Sequence, residues 1–162
     1  MNDGKKFENA FRDSVPEGIF YYRIKDSTNT WNNTSGIRFT PKNEFDCFLF
    51  KSPTLLLLEL KSTKSTSFSF KGSSPMIKQH QIDYLNKCNI SKNIVPGFIL
   101  NFRNPESTYF LHIKDLIRFI NDTTKSSINE DDIVNYGGIM ISAALKRTRY
   151  KYNVEKFINE CA

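Results

Sequence analysis

The sequence predicts an α/β domain built on a mixed central β-sheet of about five strands with helices on both faces. Three observations carry this. The unbroken apolar run Leu55-Leu-Leu-Leu58 has the character of a strand covered on both sides. Helical and extended patterns follow one another as helix, strand, hairpin, helix, strands, helices, which is the order of an α/β fold. The chain has 162 residues, shows no internal repeat or clear linker, and is long enough for a substantial core, so 1–162 reads as a single domain with a short protrusion around 26–43.

Each element has its own signal. Asp3 to Ser14 carries Phe7, Ala10, Phe11 and Ser14 at helical spacing, with Asp3 as cap. Ile19 to Lys25 alternates as a strand, with Phe20, Tyr22 and Ile24 on one side. Asp26 to Gly36 is rich in Ser, Thr and Asn and reads as a loop with Trp31 packed down; Ile37 to Phe39 reads as a short strand extension. A hairpin follows around Lys51-Ser-Pro-Thr54. The Ser/Phe alternation of Ser62 to Phe70 suits either a longer strand with Phe68 and Phe70 inward or a loop that contacts phosphate. Ser74-Pro75 predicts the N-cap and first residue of a helix to Cys88, with Gln81 on its apolar stripe. Strands at Gly97 to Phe102 and Tyr109 to Ile113 flank the turn Arg103 to Ser107. Helices are predicted at Lys114 to Asn121, at Glu130 to Tyr136 (capped by Asn129 and stopped by Gly137-Gly138), and at Asn153 to Glu160.

The hairpin holds the chemistry. With a four-residue loop, Phe50 faces Leu55, Phe48 faces Leu57, Asp46 faces Glu59 and Glu44 faces Lys61. Opposed residues share one face of a sheet with Cα atoms about 5 Å apart, so two carboxylates there repel unless a cation lies between them. A divalent ion fits such a gap, and Lys61 reaches it from two residues along. A glutamine on a buried stripe needs a hydrogen-bond partner, which a catalytic cleft would supply to Gln81. The competing reading is a solvated charged face; it sits poorly beside the apolar run that leads into Glu59.

The formal charge is +6 and the pI about 9.2, which favour a polyanionic partner. Lys64, Lys71 and Lys78 follow Lys61, and Lys146, Arg147, Arg149 and Lys151 interleave with Tyr150 and Tyr152. Such stripes suit a DNA backbone. Cys47, Cys88 and Cys161 match no zinc spacing and suggest free thiols in a reducing, intracellular (cytoplasmic) setting. No stretch is apolar enough for a signal core or a membrane span.

In order along the chain, Gly4-x-x-x-Glu8, Asp46, Glu59-Leu-Lys61, the Ser/Phe-rich stretch, His80-Gln81-Ile82-x-x-Leu85 and Gly97-Phe-Ile-Leu-Asn-Phe102 resemble the RecU family of Holliday-junction resolvases. Tyr109 to Ile113 resembles that family's next core strand, and Arg149 to Phe157 its closing basic strand and short helix. The resemblance implies a restriction-endonuclease-like fold, a homodimer, and Mg²⁺-dependent symmetrical nicking of branched DNA, with Mn²⁺ as a possible substitute. It implies that Asp46, Glu59 and the main-chain carbonyl of Leu60 ligate the metal, that Lys61 positions or deprotonates the attacking water, and that Gln81 orients water or lysine. Glu8 matches an acidic helix position that approaches the metal. The stretch before Asp46 is shorter than the family's protruding stalk, which suits a compact phage-encoded member and leaves flaps, ends or duplex as alternative substrates. A non-catalytic basic DNA-binding module, with Asp46, Glu59 and Lys61 as a structural ion network, is the alternative from another class.

Overall fold

The computed structural model describes residues 3–25 and 43–161. Trp31, the Ile37 to Phe39 extension and nearly all of the 26–43 protrusion lie outside them. Helix α1 (Asp3–Arg12) is followed by β1 (Phe20–Arg23) and the hairpin β2 (Cys47–Lys51) and β3 (Thr54–Thr63). Next come β4 (Ser67–Ser69), α2 (Gln79–Cys88), β5 (Ile94–Arg103), β6 (Glu106–His112), α3 (Ile113–Asp122), β7 (Ser127–Asn129) and α4 (Glu130–Asn135). The chain closes with β8 (Ile139–Met140), β9 (Ala143–Lys146), β10 (Arg149–Tyr152) and α5 (Val154–Cys161).

The central sheet is mixed, as expected, with six strands where about five were predicted, in the order β1-β2-β3-β5-β6-β8. Strands β3 and β5 run parallel and the other neighbours antiparallel. The parallel pair needs a crossover, which β4 and α2 provide. Period-two alternation along β3 divides the core. Leu57, with Phe98, Leu100 and Leu111, packs under α2 and α3 through Ile82, Leu85, Leu116 and Phe119. Leu56, Leu58 and Leu60, with Ile99 and Phe110, pack under α1 and α5 through Phe7, Phe11, Phe157 and Ile158. Helices therefore cover both faces.

The hairpin register is the predicted one from Phe50↔Leu55 to Cys47↔Leu58, and Lys51↔Thr54, read as loop, pairs as well. Beyond that the ladder departs from expectation. The Asp46 N–H donates to the Leu58 carbonyl at 3.1 Å, so Asp46 and Cys47 both oppose Leu58, the arrangement of a β-bulge. Asp46 is thus not a simple cross-strand partner of Glu59. Nor does Glu44 pair with Lys61: the strand starts only at Cys47, and the charge of Glu44 is felt by Cys88 at the end of α2.

Two further corrections concern the crossover. Helix α2 begins at Gln79 rather than at Ser74-Pro75. The preceding residues are captured by β4, with the Met76 N–H bound to Ser69 Oγ and the Ile77 N–H to the Ser69 carbonyl. Only Ser62 and Thr63 of the Ser/Phe stretch continue β3; Ser67–Ser69 pairs with β7 in a separate two-stranded sheet, although Phe68 and Phe70 do point inward. The basic segment forms a hairpin of β9 and β10, closed by Arg147 in left-handed backbone (φ 54°). Asn129 caps α4 as read, its side chain accepting from the Asp132 N–H at 2.9 Å.

Candidate active site

The bulge at Asp46 and the end of β3 bring the predicted acids together. Redirected by the bulge, Asp46 Oδ2 accepts the Leu60 N–H at 2.8 Å. The N–H and C=O of one strand residue point to the same edge, so the Leu60 carbonyl is turned to the side of β3 on which Asp46 lies. Glu59, on the other strand face, is 4% exposed. Its Oε1 lies 2.8 Å from Lys61 Nζ and accepts a short hydrogen bond from Gln81 Nε2.

Gln81 is itself fixed at its other end. Its Oε1 accepts the Lys78 N–H at 3.1 Å, one of the donors that a helix start leaves without an intrahelical partner. The amide therefore spans from the α2 N-terminus to Glu59 and aims its NH₂ at the carboxylate. This is why a glutamine sits buried on an otherwise apolar stripe.

Burial and mutual charge set the electrostatics of the two acids. Burial pushes the Glu59 carboxyl up to about 7, the charge of Asp46 adds to the rise, and Lys61 and Gln81 only partly offset it. Asp46 is raised too, first by burial and then by the charge of Glu8, against the pull of the Leu60 N–H and Lys61. Two mutually repelling carboxylates beside the Leu60 carbonyl form an all-oxygen donor set, which suits a hard divalent cation such as Mg²⁺. Among the described residues no three His, Cys, Asp or Glu side chains converge as a metal cluster, so any ion there would rest on two carboxylates and the main chain.

Glu8 approaches Asp46 from the α1 side. It lies on α1, across the sheet from α2, where its Oε2 pairs with Arg23 at 3.2 Å. Its charge reaches Asp46, but its side chain is engaged by a residue whose role no sequence pattern signalled, 15 positions away.

The seven predicted DNA-contacting cations are all exposed but do not form one cluster. Lys64 lies past the end of β3, 3.8 Å from Asp3. Lys78 precedes α2 beside Gln81, and Lys71 sits over the Phe70 ring. Lys146, Arg147, Arg149 and Lys151 gather on the β9–β10 hairpin, which packs along α1 through Tyr152 against Phe7 and Phe11. Sequence reading missed Arg103, at the end of β5, which pairs with Asp3.

Known proteins resemble this chain in sequence and in fold. The SPbeta prophage-derived uncharacterized protein YotM of Bacillus subtilis (strain 168) is 36% identical over 172 residues, covering 98% of this chain and 86% of the relative. The fold is similar to that of Hjc from Archaeoglobus fulgidus, a Holliday junction resolvase from an archaeal hyperthermophile. The TM-score is 0.53, with 13% identity, over 84% of this chain and 93% of that one. Residues 51–156, which include Glu59, Lys61 and Gln81, match the family described as Recombination protein U, and the chain belongs to that RecU family.

Proposed function

We propose that the protein is a metal-dependent endodeoxyribonuclease that resolves four-way DNA junctions by paired, symmetrical nicking. The observation that carries this is the constellation at the end of β3: Glu59 held between Lys61 and Gln81, with Asp46 tied to Leu60 beside it, in a chain of the RecU family. The similarity to a solved Holliday junction resolvase supports the same substrate class. The likeness to a prophage-derived protein suits a phage-encoded member working in the cytoplasm of its host.

Asp46, Glu59 and the Leu60 carbonyl would hold Mg²⁺, or Mn²⁺ in its place. Bound there, the ion supplies Lewis-acid stabilisation of the phosphate charge that builds up during in-line attack by water. The chain's own residues do the rest. Lys61, beside Glu59 with its side chain 20% exposed, presents an ammonium to the phosphate or to the attacking water. Gln81 has its oxygen occupied by the helix start, so it takes no proton; it holds the Glu59 carboxylate in orientation. The cations of the β9–β10 hairpin and Lys64 would neutralise flanking phosphates.

Paired cuts need two sites related by a two-fold axis, and the sheet offers a face for this. Phe20, Tyr22 and Phe50 on the β1–β2 edge are 56%, 46% and 43% exposed, and the Phe48 ring packs against both Phe20 and Tyr22. A contiguous aromatic patch of this kind marks an interaction surface. The wild type is expected to sediment at twice its 18.8 kDa chain mass, and Phe50→Asp at the monomer mass. A wild type that stays monomeric at micromolar concentration removes the dimer from this reading.

The deciding experiment offers a synthetic immobile four-way junction, a matched duplex and a flap, each with Mg²⁺ or with EDTA. Metal-dependent, symmetrically placed nicks in the junction are the expected result. Cleavage of duplex or flap alone moves the protein to another substrate of the same fold, and binding without cleavage under any metal refutes the assignment of Asp46, Glu59 and Lys61.

A further inference from the structure

On the opposite face of the sheet from Glu59, α1, the β5–β6 turn and the β9–β10 hairpin enclose a cavity of about 470 Å³. Its wall is joined to the catalytic strand: Ser62, the residue after Lys61, donates its hydroxyl to Asn101 Oδ1 at 2.7 Å, and Asn101 lines the cavity. We propose that this cavity is a slot for one nucleotide of the DNA strand that runs past the active site, an inference that rests on the nuclease reading above.

Charge is the first argument. Lys6, Lys64 and Arg103 all turn to one carboxylate, that of Asp3; with Glu106, whose charge Arg103 also feels, the cavity keeps one positive charge in surplus. Arg149 adds a further, largely exposed cation, offset by Asp13 at 3.6 Å. Asp3 and Glu106 together do not neutralise Lys6, Lys64 and Arg103; a phosphate completes the neutralisation.

Unsatisfied hydrogen bonding is the second. Arg103 Nη1 is bound to Asp3, yet its Nε is buried without any partner, alone in this respect among the described residues. The protein itself does not complete the bonding of this guanidinium, and an unpaired buried donor calls for a reason.

The third is the lining. Tyr150 supplies ring surface on the hairpin side, and the floor is polar: Tyr152 Oη and Asn101 Nδ2 both donate to Glu106 Oε1, at 2.9 and 2.7 Å. Ring surface beside a cationic rim suits a base with its attached phosphate, since every base has a face to stack whatever its sequence. The volume lies within the range of small-ligand sites.

The test is a scan with single abasic sites along each strand of the four-way junction, read as binding affinity by anisotropy in the Asp46→Asn protein. Binding is expected to weaken by about tenfold at one position flanking the cut. That sensitivity should vanish in Asp46→Asn carrying either Arg149→Ala, a mostly exposed position, or Tyr150→Leu, which keeps apolar bulk. A flat profile, or one unchanged in both double variants, overturns the slot, even where the wild type cleaves junctions and the nuclease reading stands. A wild type that binds and cuts no DNA removes both. Deoxycytidine monophosphate serves as the second arm. Thermal stabilisation by it, together with a flat abasic profile, would make the cavity a free-nucleotide site and refute its assignment to the strand.

Discussion

Glu59→Gln is expected to abolish DNA cleavage and, in the metal-free protein, to raise thermal stability above neutral pH. Both effects come from one carboxylate. Glu59 is buried and its carboxyl is pushed from an ordinary 4.5 up to about 7 by that burial and by Asp46. For an acid raised on folding, the native state holds the proton more tightly than the unfolded chain. Stability is therefore full below pH 4.5, falls as pH rises toward 7, and is lower by up to ~3 kcal/mol above that. A glutamine of equal shape cannot ionise, so the pH 4.5–7 loss should flatten, and at pH 8 the variant should exceed the wild type by ~1–3 kcal/mol. Loss of the Lys61 partner keeps the gain below the full figure. Mg²⁺ should stabilise the wild type and leave the variant unmoved, because a ligand contributes only where it binds the native state. Thermal melts from pH 4 to 8, with Mg²⁺ or EDTA, read all of this. A Glu59→Gln protein that is less stable than wild type at pH 8 and still cuts DNA would sink the site as described. One that cuts nothing but melts lower would keep the chemistry and overturn the electrostatic account.

This conflict between stability and site was partly visible in the residues. Acid, acid and lysine on adjacent strands are legible because the short turn at Ser52-Pro53 leaves the two apolar runs one simple register, and the register decides which side chains share a face. The bulge at Asp46 was not legible. Nothing in Glu44-Phe-Asp-Cys marks an extra residue; the ladder is set by the Ile24 N–H bound to the Asp46 carbonyl and by the Asp46 N–H bound to Leu58, contacts from two other strands. The prediction thus placed Asp46 beside Glu59 for too simple a reason, and the actual contact runs through the Leu60 N–H.

Helix α2 shows the same limit. Ser74-Pro75 is a sound local start signal, but Ser69 takes the backbone donors of Met76 and Ile77 with both its hydroxyl and its carbonyl, and the helix waits until Gln79. Tertiary capture overrides local capping here. Gln81 stands out in the sequence because an amide on an apolar stripe has no local explanation, and the partner it needs is Glu59. Strands β8 and β9 were missed for the opposite reason. Ile139–Met140 is two residues long, and Ala143–Lys146 is exposed throughout, so neither has a buried alternation to detect.

Gly97→Ala is expected to be the most damaging single methyl group in the sheet. Gly97 lies in β5, opposite Leu58 of β3 and His112 of β6, one register step from the Glu59↔Phe98 pair. A Cβ on Gly97 would stand 2.5 Å from the Leu111 carbonyl oxygen and 2.5 Å from the Phe110 ring. The ring has little room to retreat: it is 2% exposed and packs against Phe157 of α5 at 5.1 Å between centroids. The carbonyl belongs to the β5–β6 ladder itself, so relief means parting the strands. Overpacking of this kind costs ~3 kcal/mol or more, which in a chain of this size lowers the melting midpoint by roughly 10 °C. Since β5 supports β3 along its length, the displacement should also reach Glu59 and Lys61, and the surviving folded protein should cut more slowly than its folded fraction accounts for. Melting curves and cleavage rates at a temperature where the variant remains folded separate the two effects. A midpoint within 2 °C of wild type would mean that Phe110 yields without cost and that the close approach of β5 and β6 at Gly97 is not what holds the catalytic strand in place.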